Sequence, residues 1–301
     1  MLSRRSLLFG TALRLCGQNA KFSTDVNVVT LLATVHDRDG RVVKNLERGD
    51  FLLQDGGKPQ TIAYFTRESD LPLTIGLLVD TSRSQRGVLG AEKRASYKFL
   101  DQVLREDKDR AFVARFDIDV EVTQGFTSTR DQLRTALNGL EIPGRASTLI
   151  FEAVRKISEE QMRRETGRKA YILLSDGVSF RDKASIGTAI EFAQRADVII
   201  YSILFSRAQL RPLRGRANPM VQRGRKAMQR LAEETGGEYF EVSARNSIEK
   251  IYAGIEDALR NQYSIGYMPS SPGRSGEYRK IKLAARDKKL VVKSRDGYYV
   301  K

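Results

Sequence analysis

Apolar residues along this chain follow two rhythms, and the change from one to the other divides it. Residues 26–67 alternate with the two-residue period of a strand. Val26 to Val35 is a run rich in β-branched residues, closed by His36. Alternation puts His36 on the face of Thr30 and Thr34, as a half-exposed strand residue. Asp37-Arg38-Asp39-Gly40-Arg41 reads as a hairpin turn. Two further strands, 51–54 and 61–65, flank the turn Asp55-Gly56-Gly57-Lys58-Pro59. From residue 71 strands and helices alternate. A helix over 88–105 turns Ala95, Phe99, Leu100 and Val103 inward. Strand 111–116, a short edge strand 120–124 and a short helix 130–137 follow. Then come a helix entered at Thr148, strand 170–175, helix 185–195 and strand 198–205. Helix 220–235 stops at Gly236-Gly237, and strand 239–242 is the last of this series. Ile248, Ile251, Tyr252, Ile255 and Leu259 mark one face of a closing amphipathic helix. Beyond residue 262 the strand period returns at 263–268, 278–284 and 290–293, with Gly297-Tyr298-Tyr299 at the close.

This grammar predicts an α/β fold: a doubly wound, mostly parallel sheet flanked by helices, plus a small β domain. The divisions fall at 1–25, a leader; 26–70, an N-terminal β module; 71–262, the α/β domain; and 263–301, the C-terminal strands. Each β segment is too small to bury a core alone, so the two are expected to pack together with the α/β domain inserted between them.

Candidate chemistry sits at two strand ends. The apolar run Leu73 to Val79 ends in Asp80-Thr81-Ser82-Arg83-Ser84, an Asp-x-Ser-x-Ser pattern. A carboxylate and two hydroxyls at alternate positions can converge on one point, and such hard oxygen donors suit Mg²⁺ or Ca²⁺ rather than zinc or copper. Alone the pattern also reads as a strand-end acid with serines capping the next helix. A second apolar strand, Ala170 to Ser175, ends in Asp176-Gly177. Between the two, Gly144-Arg145-Ala146-Ser147-Thr148 leads into Leu149 to Val154, a loop entering a helix. In open α/β sheets ligands lie beyond the carboxyl ends of the strands, where Asp80 and Asp176 fall.

Asp-x-Ser-x-Ser, a loop Thr and a strand-end Asp-Gly, in that order, resemble the von Willebrand factor A family over roughly residues 71–262. The resemblance implies a metal-ion-dependent adhesion site with Asp80, Ser82, Ser84, Thr148 and Asp176 as the ligands. It implies Mg²⁺ as the cofactor, with Mn²⁺ or Ca²⁺ as alternatives, and one coordination position left for a partner carboxylate. The flanking β segments resemble the bacterial group of A-domain proteins known largely from acidobacterial genomes.

Composition narrows the classes. The chain has 301 residues, 41% hydrophobic, with no Trp, one His and one Cys. Lone Cys16 excludes an internal disulfide framework and a multi-Cys metal site. Lone His36 excludes a His-cluster metal centre and argues against a Ser-His-Asp triad. Lys and Arg number 52 against 37 Asp and Glu, a net charge of +15. The excess concentrates around Arg211, Arg214 and Arg216 and in the tail from Arg274. It favours acidic partners. In the tail, however, basic and apolar residues alternate through Tyr278-Arg279-Lys280-Ile281-Lys282-Leu283, as in a strand with one solvated face. Arg83 and the Arg211, Arg214, Arg216 loop are the candidate partner contacts beside the metal.

At the N-terminus, Ser3-Arg4-Arg5-Ser6 precedes a short apolar stretch, similar to a twin-arginine export signal. Arg14 interrupts that stretch and no good cleavage site follows. Export to the periplasm or cell surface is the expectation, and a basic tail on a cytoplasmic protein the alternative. No stretch is long enough to span a bilayer as a helix.

Three functions compete. The first is a non-catalytic module that binds a protein's acidic side chain through a divalent cation. The second is a Mg²⁺-dependent phosphoryl-transfer enzyme with Asp80 as nucleophile or metal ligand. Against it, such phosphatases tend to carry a second Asp two residues on, where this chain has Ser82, and there is no P-loop. The third, a nucleic-acid binder, rests on charge alone. The binding module is the reading adopted; neither the ligand's identity nor the oligomeric state is legible.

Overall fold

A computed structural model describes residues 28–68, 71–143, 147–205 and 219–300. Its centre is a six-stranded sheet made of β5 (Leu73–Asp80), β6 (Arg110–Phe116), β7 (Val120–Thr127), β8 (Arg168–Ser175), β9 (Ile199–Leu204) and β10 (Tyr239–Glu241). The order is β10-β9-β8-β5-β6-β7, parallel throughout except for β7. β5 and β8 are buried along their whole lengths, as strands covered on both faces must be.

One face is covered by α1 (Leu89–Val103), α2 (Arg130–Asn138) and α6 (Ile248–Arg260), which share a core with β5, β6 and β9. The other is covered by α3 (Ile150–Ile157), α4 (Ile186–Arg195) and α5 (Pro219–Thr235). The predicted doubly wound α/β fold is the observed one. β7 runs to Thr127, longer than the short edge strand expected, because two register irregularities carry its pairing with β6 onward.

The terminal segments build two antiparallel sheets. Here β1 is Val29–His36, β2 Phe51–Asp55, β3 Lys58–Gln60 and β4 Ile62–Glu68. After α6 come β11 (Gln262–Tyr267), β12 (Tyr278–Ala285), β13 (Val291–Ser294) and β14 (Gly297–Tyr299). One sheet runs β13-β1-β11-β4 and the other β14-β12-β2-β3, so each mixes strands from both ends of the chain. Their inner faces share one apolar core, including Leu31, Val35, Phe51, Tyr263, Ile265 and Leu283. Lys58 and Pro59, expected as part of a turn, belong to the edge strand β3, a position in a sheet where a proline is tolerated.

One expectation from alternation is corrected. His36 is buried, not half-exposed. The end of β1 that carries His36 lies against the α/β domain, so Thr34 is covered too, and the imidazole meets Glu238 at 3.4 Å; Thr30, further from that contact, stays exposed. Along β12 the alternation holds: Lys280 and Lys282 face solvent, and Arg279 shares the buried face with Ile281 and Leu283. Arg279 points into the β core, where its Nε donates to Asp55 at 2.9 Å; Tyr267 and Tyr298 hydroxyls donate to the same carboxylate. A cleft of about 800 Å³ lies between the two parts, lined by Arg168 and Ile199 at the starts of β8 and β9. That is the opposite end of the strands from Asp80.

Candidate metal centre

β5 and β8 are neighbours, and connections leave them toward opposite edges of the sheet. Their carboxyl ends therefore form a topological switch point, where loops part and leave a crevice. Asp80 ends β5, and Asp176 follows the last residue of β8.

Asp80 is fully buried. Its Oδ1 accepts from the Ser82 N–H at 2.8 Å, which folds the chain sharply back after the strand. Its Oδ2 accepts from the Ser175 hydroxyl at 2.6 Å, tying the ends of the two strands together. Burial first, and the charge of Asp176 second, push the Asp80 carboxyl up to about 7. The groups offsetting this are the Ser175 and Ser82 side chains and the Ser82 N–H, none of them charged. Two carboxylates held this close repel unless a cation lies between them.

Ser82 is buried and its hydroxyl meets that of Ser84, which is exposed, at 2.9 Å. The loop carrying them is pinned behind the site. Thr81 donates to Asp117 at 2.6 Å, and its N–H bonds the Phe116 carbonyl. Gln85 is fully buried; with its amide turned to match its neighbours it accepts from the Asp176 N–H at 2.9 Å and donates to the Phe205 carbonyl at 3.2 Å. Asp176 is partly buried and accepts from the Val178 N–H at 3.0 Å.

Thr148 is buried and reaches the same loop system through its backbone. It exchanges two 3.1 Å bonds with Phe180, four residues past Asp176. Asp182 completes this arrangement by accepting from the N–H groups of Phe151 and Glu152 at 2.7 and 2.9 Å, which caps α3 just beyond Thr148. The Asp176-Gly177 turn has φ of +78° at Gly177 and is overlain by Gly224 of α5. A Cβ on Gly224 would lie 2.3 Å from the Gly177 carbonyl oxygen, so the helix can approach the turn only because both residues are glycine.

The structure thus joins Asp80, Ser82 and Ser84 by direct bonds, and Asp80 to Asp176 by charge. Thr148 is linked to the Asp176 loop through backbone. Among the described residues no three His, Cys, Asp or Glu side chains are placed to hold an ion on their own. A cation here would draw on hydroxyl oxygens as well. Arg83 is exposed in the short turn after Ser82. Arg211, Arg214 and Arg216 lie outside the described residues, as do the leader and Cys16. Sequence reasoning missed Ser175, Gln85, Asp182 and Gly224, and it missed Glu92 on α1. Glu92 lies three residues before inward-facing Ala95, so an acid on an apolar helical stripe was the available signal.

The sequence profile of the von Willebrand factor type A domain matches residues 74–254. This chain belongs to that family. Among solved structures it is similar to proximal thread matrix protein 1 from the mussel byssus, at 14% identity and a TM-score of 0.53, covering 68% of this chain and 50% of that one. The same byssus protein with a zinc-occupied MIDAS motif, the metal-ion-dependent adhesion site, matches at 15% identity and TM-score 0.53, over 69% and 50%. The pilus adhesin SpaC from Lactobacillus rhamnosus GG matches at 11% identity and TM-score 0.49, over 85% and 48%. The chain spans about half the length of these structures. No curated protein matches it. Among the described residues no helix is long and apolar enough to cross a membrane.

Proposed function

We propose that this chain is a non-catalytic, cation-dependent protein-binding module. Asp80, Ser82, Ser84, Thr148 and Asp176 would hold Mg²⁺ at a metal-ion-dependent adhesion site, and an acidic side chain of a partner protein would complete the coordination. The observation that carries this reading is the approach of buried Asp80 to Asp176 at the switch point, with two hydroxyls in line and no positive charge among the groups offsetting the repulsion. The donors fit the ion. All are hard oxygens, and Mg²⁺ takes near-octahedral coordination by a few carboxylate or hydroxyl oxygens plus water. The bound cation supplies electrophilic charge; the residues supply its position. Ser84, exposed at the mouth, keeps the site open toward solvent. The zinc-occupied MIDAS motif of the byssus protein supports the same reading.

Ser82 stands two residues after Asp80, where phosphatases of that kind tend to carry a second Asp, which favours binding over catalysis. The reading includes membership of the acidobacterial-type group, domain limits near residues 71 and 262, and export by the N-terminal leader, with Arg83 and the Arg211, Arg214, Arg216 loop touching the partner. The test is retention. Immobilised protein should hold envelope proteins in Mg²⁺ and release them in EDTA, and Asp80→Ala should hold none of them. Retention that ignores both EDTA and Asp80→Ala would contradict the reading.

A further inference from the structure

Glu92 lies in the first turn of α1, in the helical layer over β5, and is fully buried. Neither of its carboxylate oxygens has a hydrogen-bond partner among the described residues. A buried acid left so is a rarity that calls for a ligand, since its desolvation is otherwise uncompensated. Its surroundings are specific. One turn further along α1, the Ser96 and Tyr252 hydroxyls bond each other at 2.7 Å, and neither bonds Glu92. On the other side, the charges that act on Glu92 are those of Asp80 and Asp176, and with burial, the larger cause, they hold its carboxyl well above the usual range. A third acid therefore converges on the two already described, within a site whose free N–H and hydroxyl groups are already spent on one another.

We propose that Glu92 is a further residue of the cation site, a positioning residue that accepts hydrogen bonds from water bound to the ion rather than a direct ligand. This rests on the cation reading above. Among the described residues no three carboxylates are placed to hold an ion on their own, so Glu92 is assigned to the ion's waters and not to its direct coordination. Mg²⁺ dehydrates reluctantly and keeps several waters, and those waters are donors of the kind Glu92 lacks. Groups that hold a metal's surroundings in this way typically change affinity by about 10- to 100-fold when removed.

The test is titration calorimetry of the full chain with Mg²⁺ and with Mn²⁺, on wild type, Glu92→Gln and Glu92→Asp, alongside melting in EDTA. Glu92→Gln keeps size and shape and should weaken Mg²⁺ binding about tenfold or more, while melting in EDTA no lower than wild type. Glu92→Asp should recover part of the affinity. A residue that only props the helix would lower the EDTA melting temperature and leave the affinity unchanged; that outcome, or unchanged affinity in Glu92→Gln alone, overturns the proposal. Wild type that binds neither cation overturns the cation reading itself, so the two failures are distinguishable.

Discussion

At the scale of single residues, the site is a problem of negative charge placed where water is scarce. The unfolded chain ionises Asp80 near 3.8, whereas in the metal-free folded protein burial and Asp176 push it up to about 7. The folded state therefore binds the proton more tightly, and stability contributed below the unfolded value is lost as pH rises through the folded one. Asp80→Asn removes this dependence. In EDTA its melting temperature should gain on wild type steadily from about pH 4 to about pH 7 and then hold level; a constant difference across that range would contradict the assignment. Cation binding needs the ionised form, so Mg²⁺ affinity should rise over the same interval. The Asp-x-Ser-x-Ser residues were legible because their spacing is local. Glu92 lies on the apolar stripe of α1, which points it inward, but its nearness to Asp80 and Asp176 comes from the fold and was not legible. Asp182 was equally hidden: the helix it caps begins far upstream in sequence, so no capping pattern announces it.

Elements hold those residues in place. The strands of the central sheet and the helices around it could be read from periodicity, because both faces of β5 and β8 are buried and their apolar runs are unbroken. What periodicity could not supply is the contact between elements. Gly224 is unremarkable within a helical stretch, yet it is where α5 comes against the Asp176 turn. Gly224→Ala should force the helix away from Gly177 and destabilise the protein by about 1–3 kcal/mol, the usual range for overpacking. Chemical denaturation checks this. Mg²⁺ affinity should fall as well, because the turn carrying Asp176 is displaced. Stability equal to wild type would mean that the helix shifts without resistance.

Across the whole molecule, strands from the two ends of the chain are joined in the same sheets, β1 to β11 and β2 to β12. The need for a shared core was legible from the small size of each segment. The inward side of Arg279 follows from its sharing a face with Ile281 and Leu283, but its pairing with Asp55, distant in sequence, was not legible. Arg279→Leu would leave Asp55 buried with only tyrosine donors. Breaking a buried pair in this way costs about 3–5 kcal/mol, and urea denaturation should show a loss of that order; a loss below about 1 kcal/mol, the range of surface pairs, would contradict it. The proposed cation site lies in the α/β part, at the strand ends that carry Asp80 and Asp176. Thermal melting with Mg²⁺ or Mn²⁺ against EDTA, on wild type and Asp80→Ala, tests it most directly. A cation that binds only the folded state stabilises by RT ln(1 + [L]/Kd), about 2.7 kcal/mol at a hundredfold excess over Kd. Wild type should show a rise in melting temperature that saturates with cation concentration, and Asp80→Ala should fold but show none. A wild-type melting temperature indifferent to both cations and to EDTA would contradict the account.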